Sequence, residues 1–190
     1  MQQEDFTRST AIDALSHCVE SYFSRYANEL SKMYAVRGIR LLMEQFEKIL
    51  KTGWRALTYE DREILYNASI YGGLAINITG TAMPHAVGYL LTELHDIPHG
   101  VACALFLPEF YAHNKKVMPE LTDAFLNAIG CREEIFLQMI GDILPEGHRT
   151  VSEEEIAGQH YRWINNSSIG KGWGNIDAGQ VDDILRRLSY

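Results

Sequence analysis

Three histidines and one aspartate fall into two pairs whose donor atoms can close around a single metal ion. Asp13 and His17 form the first pair, in the run Ser9-Thr10-Ala11-Ile12-Asp13-Ala14-Leu15-Ser16-His17-Cys18. That run lacks Gly and Pro and repeats its apolar residues at helical spacing, so it reads as a helix. Residues four apart share a helix face, with Cβ atoms about 5–6 Å apart, so the carboxylate and the imidazole project the same way. His85 and His99 form the second pair, fourteen positions apart and each directly preceded by a proline. One carboxylate and three neutral imidazoles make a donor set that suits a divalent transition metal.

Each residue also has a plainer reading. A lone histidine on an apolar helix is more often a hydrogen-bonded core residue than a ligand, and a carboxylate four before a histidine also forms an ordinary helix pair. His95 and His99 are a rival pair at helical spacing, but Pro98 lies between them and disfavours helical geometry at Ile97. Cys18 points about 100° away from His17 on a helix, which assigns it to core packing. His113, His148 and His160 sit in polar contexts and are expected to face solvent.

The elements that must position these groups are helices. Leu30 to Lys51 is strongly periodic, with Met33, Val36, Ile39, Leu42, Phe46 and Ile49 at spacings of three and four, and Gly53 just beyond. Thr58-Tyr59-Glu60-Asp61 offers an N-cap with early acidic residues for a second long helix. Gly72-Gly73 within it marks a kink, a close backbone approach or ordinary packing. Pro84 to Leu94 predicts a further helix, and His99 to Leu107 opens another that is apolar on most sides. Pro119 to Ile129, Cys131 to Leu144, a start at Thr150-Val151-Ser152-Glu153-Glu154-Glu155, and Asp177 to Leu188 complete the series. Alternating β patterns and hairpin signals are missing, so the chain reads as all-α. Gly170-Lys171-Gly172-Trp173-Gly174 follows no strand and has the wrong spacing for a dinucleotide cradle, which makes it a flexible loop on this reading.

Composition narrows the function classes. The 190 residues are 46% hydrophobic and 22% charged, ordinary for a globular domain with a sizeable core. A net charge of −8, a pI near 5.3 and scattered basic residues argue against a nucleic-acid partner. No run of about 18 apolar residues predicts a membrane span. Three widely spaced cysteines form neither a disulfide framework nor a CxxC zinc site, and the polar, acidic start is unlike a signal peptide, so a cytoplasmic location is expected.

Three segments together carry a resemblance. Ile12-Asp13-Ala14-Leu15-Ser16-His17-x-x-Glu20, Gly80-x-x-x-x-His85-Ala86 and Pro98-His99-Gly100-Val101-Ala102 are similar to the helical domain of iron-containing (group III) alcohol dehydrogenases. Asn67-Ala68-Ser69 and Gly73-x-Ala75 resemble the helix that precedes the third ligand in that family, and the likeness is densest over Thr10 to Pro108. It implies an all-α, multi-helix bundle of the dehydroquinate synthase-like kind, a single metal-binding domain over residues 1–190. On this resemblance the family's N-terminal α/β nucleotide-binding domain is expected to be lacking. By resemblance the metal ligands are Asp13, His17, His85 and His99. The ion is Fe²⁺, with Zn²⁺ an alternative because such ligands bind zinc more tightly.

The activity so implied is interconversion of alcohols with aldehydes or ketones, with hydride passing to NAD or NADP held by the absent domain. This chain alone is expected to be inactive. Many members carry a further histidine four residues after the third ligand; here that position is Tyr89, which titrates near 10 against about 6.5 for histidine. Tyr89 and His95 are therefore the candidate proton-relay residues, with water as the other route. The expected partners are a small alcohol or aldehyde, the nucleotide-binding domain, and further copies of the chain through the apolar face that domain would cover. The competing reading is a non-catalytic metal-binding or assembly module that needs a separate cofactor-binding partner. A third is a helical interaction domain with coincidental histidines.

Overall fold

A computed structural model describes residues 4–145 and 150–188, and His148 lies outside them. Among the described residues every regular element is a helix. The first, α1 (Glu4–Tyr22), is the central one. It buries Ile12, Leu15, Cys18 and Val19 completely, together with the polar Ser16 and Glu20. A helix enclosed on most sides must have neighbours on most sides; α1 packs against α2 (Glu29–Thr52), α3 (Tyr59–Thr79) and α5 (His99–Ala104).

Local chemistry sets the boundaries. Asn28 and Ser31 form a reciprocal capping box at the start of α2, and Gly53 ends it at φ 82°, a conformation that favours glycine. Thr58 and Asp61 repeat the box at the start of α3, where Lys48 of α2 reaches Asp61 at 2.7 Å. Within α3, Gly72 marks a close approach: a Cβ there would stand 3.1 Å from the Ala14 carbonyl oxygen and 3.3 Å from His17 Cβ. Gly73 faces open space.

After α3 come α4 (Met83–His95) and α5, joined by a corner in which Asp96 adopts the left-handed conformation at φ 55°. The apolar stretch expected to be one helix from His99 is two. It breaks after α5 and resumes as α6 (Leu107–Val117), because Pro108 has no N–H to donate to the Ala104 carbonyl. Two further helices, α7 (Pro119–Ile129) and α8 (Glu133–Ile143), close an aromatic core in which Phe125 meets Tyr22, Phe23, Tyr111 and Phe136 with ring centroids 4.9–6.4 Å apart. The final helices are α9 (Glu153–Gln159), capped by Ser152, and α10 (Ala178–Arg187), capped by Asp177.

Two expectations need correction here. The glycine-rich segment is docked, not free: the Lys171 carbonyl accepts from Arg25 N–H at 3.0 Å, and the Trp173 carbonyl bonds His113 Nε2 at 2.7 Å. His113 and His160 are half-buried rather than solvated, the second through a 2.5 Å contact from Nδ1 to Asp182. Both histidines serve to fix the C-terminal elements. No helix among the described residues is long and apolar enough to cross a membrane.

Candidate metal centre

Three helices present the four residues singled out by spacing. Along α1, Asp13, His17 and Glu20 stand at i, i+4 and i+7 and so share a face. His85 lies in the first turn of α4, and His99 is the first residue of α5. Two glycines let these helices come close enough. A Cβ at Gly100 would stand 1.9 Å from the Ser9 carbonyl oxygen, so only glycine allows α5 to start against α1; the Gly100 N–H donates to Ser9 Oγ at 3.1 Å. At Gly88 a Cβ would meet the Cys103 backbone at 2.9 Å, which closes α4 onto α5.

The result is a convergence on Asp13. His85 Nε2 lies 3.3 Å and His99 Nε2 3.8 Å from Asp13 Oδ1, while His17 Nε2 lies 3.5 Å from Oδ2. The His17 and His85 rings stack with centroids 4.7 Å apart, and those of His85 and His99 cross at 67°. Asp13 Oδ1 and His85 Nε2 are buried, and neither makes a hydrogen bond of acceptable geometry. Buried polar atoms are nearly always satisfied, so a pair left unmet and face to face fits a cation between them.

Glu20 fixes the orientation. Its fully buried carboxylate contacts His85 Nδ1 and accepts from the Ala82 N–H. Held at Nδ1, the imidazole turns Nε2 toward Asp13, the arrangement in which a carboxylate orients a metal-binding histidine. Burial disfavours a charged imidazole at His85, but the Glu20 carboxylate and the Asp13 contact outweigh it and raise its pKa. Burial likewise works against ionisation of Asp13, yet the facing His85 and the other nearby imidazoles hold its pKa below the usual value. At His17 burial prevails and lowers the pKa, favouring the neutral ring.

A sulfur donor completes the cluster. Cys103 Sγ lies 3.7 Å from His99 Nε2, and the donor atoms of Asp13, His85, His99 and Cys103 all fall within 4.8 Å of one another. Burial pushes its thiol up to about 11. Sequence spacing missed both Glu20 and Cys103 as site residues. The available signals were the i+7 step from Asp13 and the i+4 step from His99.

The two proton-relay candidates separate. Tyr89 is half exposed and its ring centroid is 5.0 Å from that of His99, so it borders the cluster. His95 does not: it is ten residues along α4 from His85, about 15 Å of helical rise, and its Nε2 contacts Glu155 at 3.0 Å. It secures the C-terminal segment instead. On the open side, a pocket of about 470 Å³ is lined by Phe6, Ser9, Thr10, Asp13, Pro98 and His99.

Residues 7–144, which carry every residue of this cluster, match the sequence pattern of the Fe-containing alcohol dehydrogenase family, C-terminal. The chain belongs to that family. Among curated family members, 1,3-propanediol dehydrogenase of Citrobacter freundii is 35% identical over 114 residues, 60% of this chain and 29% of that protein. Long-chain-alcohol dehydrogenase 1 of Geobacillus thermodenitrificans is 33% identical over 65% of this chain and 31% of its own length. Solved structures extend the likeness across the chain. An iron-containing alcohol dehydrogenase of Thermotoga maritima superposes with a TM-score of 0.81 at 27% identity, covering 99% of this chain and 50% of that one. Sulfoacetaldehyde reductase from Bifidobacterium kashiwanohense, solved in complex with NAD⁺, gives 0.85 at 25% identity over 98% of this chain and 50% of its own. The chain thus spans about half the length of these two solved structures and matches 29% and 31% of the two curated relatives.

Proposed function

We propose that this chain is the metal-holding helical half of an NAD(P)-dependent alcohol dehydrogenase, with Asp13, His17, His85 and His99 as ligands to Fe²⁺ or, where supply favours it, Zn²⁺. The observation that carries the reading is the buried facing of Asp13 Oδ1 and His85 Nε2 at 3.3 Å, with neither atom in a hydrogen bond of acceptable geometry. When bound, a divalent ion there supplies Lewis acidity, lowering the pKa of an alcohol or polarising a carbonyl.

The chain's own residues do the rest. Glu20 keeps His85 Nε2 aimed at Asp13, and burial keeps the His17 ring neutral. Phe6, Pro98 and the half-exposed Tyr89 border the cluster where a small alcohol or aldehyde enters. On this reading Tyr89, whose ring centroid lies 5.0 Å from that of His99, passes a proton between such a substrate and solvent. Hydride transfer needs a nicotinamide, which would be held by the α/β nucleotide-binding domain that the family resemblance implies.

Elemental mass spectrometry of the purified chain tests it, with His85→Ala and His99→Ala as controls. About one iron or zinc per chain, lost in both variants, is expected. No metal after reconstitution with either ion would sink the reading. Alcohol-dependent reduction of NAD⁺ or NADP⁺ on adding a nucleotide-binding half separates the dehydrogenase from a non-catalytic metal module.

A further inference from the structure

We infer that Arg62 anchors an oxyanion-binding site, a cavity between α1 and α3 that takes a small carboxylate or phosphate. The cavity measures about 220 Å³, and its walls include Thr7, Thr10, Arg62, Leu65, Tyr66 and Ser69. It therefore offers one cation, four hydroxyl groups and no carboxylate. In a chain with 25 acidic and 17 basic residues, that lining runs against the average charge.

Charge held away from bulk water is normally paired. Among the described residues three arginines are half-buried, and two follow the rule. Arg8 lies 3.6 Å from Glu4, and Arg162 lies 2.8 Å from Glu93. Arg62 does not. Its Nη1 donates to Thr7 Oγ1 at 3.1 Å, and among the described residues no carboxylate meets it. A guanidinium carries five N–H donors in a planar fork that matches two oxygens of a carboxylate or phosphate. One of the five is engaged here. The acids beside it in sequence do not fill the gap: Asp61 is held by Lys48 and Thr58, while Glu60 and Glu63 are exposed.

The fold fixes this geometry before any ligand binds. Arg62 stands at the start of α3, where its backbone N–H bonds the Thr58 carbonyl at 3.2 Å and the Thr58–Asp61 capping box sets the turn. Thr7, which receives the Arg62 bond, is buried in α1 at 6% exposure. Thr10 and Ser69 now donate to carbonyls of their own helices, Phe6 at 2.9 Å and Tyr66 at 2.8 Å. A hydroxyl hydrogen rotates to suit its partner, so both can turn toward an anion on Arg62.

Thr10 also borders the pocket beside Asp13 and His99, so the two spaces share a wall. Two sources thus supply the oxyanion: a free ion such as phosphate, or the carboxylate end of a substrate whose alcohol oxygen reaches the metal centre. Only the second source depends on the metal reading above; the Arg62 site itself does not.

Calorimetric titration of the whole, metal-free chain with phosphate and with butyrate, at ionic strength held constant with chloride, tests the site. One saturable site is expected for at least one of the two anions. Arg62→Gln should weaken it about 10–100-fold, the effect of losing hydrogen bonds to a charged group. In the wild type, the amide resonances of Thr7, Arg62 and Ser69 should shift with the same saturation, a readout that needs no variant to fold. No saturable binding, unchanged affinity in Arg62→Gln, or shifts centred on Lys115-Lys116 or Arg186-Arg187 would each overturn the inference. Zinc-loaded chain then separates the sources. Tighter binding of 4-hydroxybutyrate than of butyrate, seen with zinc alone, assigns the anion to a substrate; equal binding assigns it to a free ion. Failure to take up zinc would sink the metal reading and leave the metal-free result standing.

Discussion

Glu20 and Asp13 lie seven residues apart on one face of α1 and address the two nitrogens of the same ring, His85 Nδ1 and Nε2. One helix thus both orients this histidine and supplies the group it meets. Such an orienting carboxylate typically contributes 10–100-fold to metal affinity. Glu20→Gln should weaken binding by about that factor in a chelator competition, with little change in circular dichroism. Unchanged affinity would show that packing alone sets the ring.

Two glycines should respond oppositely to alanine. At Gly100 the added methyl collides with the Ser9 carbonyl and wedges α5 away from α1. Overpacking of this kind costs about 1–3 kcal/mol. Gly73 sits in a helix and faces open space, so alanine there should stabilise by about 0.5–1 kcal/mol. Urea unfolding of the two variants measures both, and Gly100→Ala should also lose metal.

Legibility from sequence followed the range of the interactions. The caps at Thr58 and the stops at Gly53 and Gly130 are local devices, and the helices they bound could be read directly. Asp13, His85 and His99 could be expected to meet because their spacing matched a known pattern. Cys103 could not, since its approach depends on α4 closing onto α5 through Gly88, a contact between segments fifteen residues apart. Docking of the glycine-rich segment likewise depends on Arg25 and His113, far away in sequence. The break before α6 was written locally, in Pro108, but the unbroken apolar run concealed it.

Acid should weaken the α2–α3 junction. The Lys48 hydrogen bond, with those from Thr58, lowers the Asp61 pKa against a smaller opposing effect of burial. A carboxyl whose folded pKa is depressed stabilises the fold above its unfolded value, near 4, and loses that stabilisation as pH falls through the folded value. Stability measured by urea unfolding should fall on acidification below about pH 4. Asp61→Asn should start lower by about 0.5–2 kcal/mol, from the lost capping box, and show a shallower acid limb. An identical acid limb in the variant would place the titrating group elsewhere.

The exposed face of α3 carries Tyr66, Ile70 and Leu74 in one stripe, exposed by 66%, 42% and 41%. A contiguous apolar stripe of this kind favours association. The chain should elute above its 21.6 kDa mass at high concentration, and Ile70→Glu should return it toward the monomer position. A concentration-independent monomer would remove this expectation.

The corner between α4 and α5 carries a kinetic consequence. Only Asp96, Ile97 and Pro98 connect the two helices, and the left-handed turn at Asp96 sets their angle before any ion arrives. The gap between His85 and His99 is thus a property of the hairpin. On the proposed reading a cation would meet donors already gathered, so its capture should be governed by diffusion and shedding of water rather than by refolding of the chain. Lengthening this connection by even one residue should convert rapid, single-step loading into slow uptake limited by rearrangement of the protein.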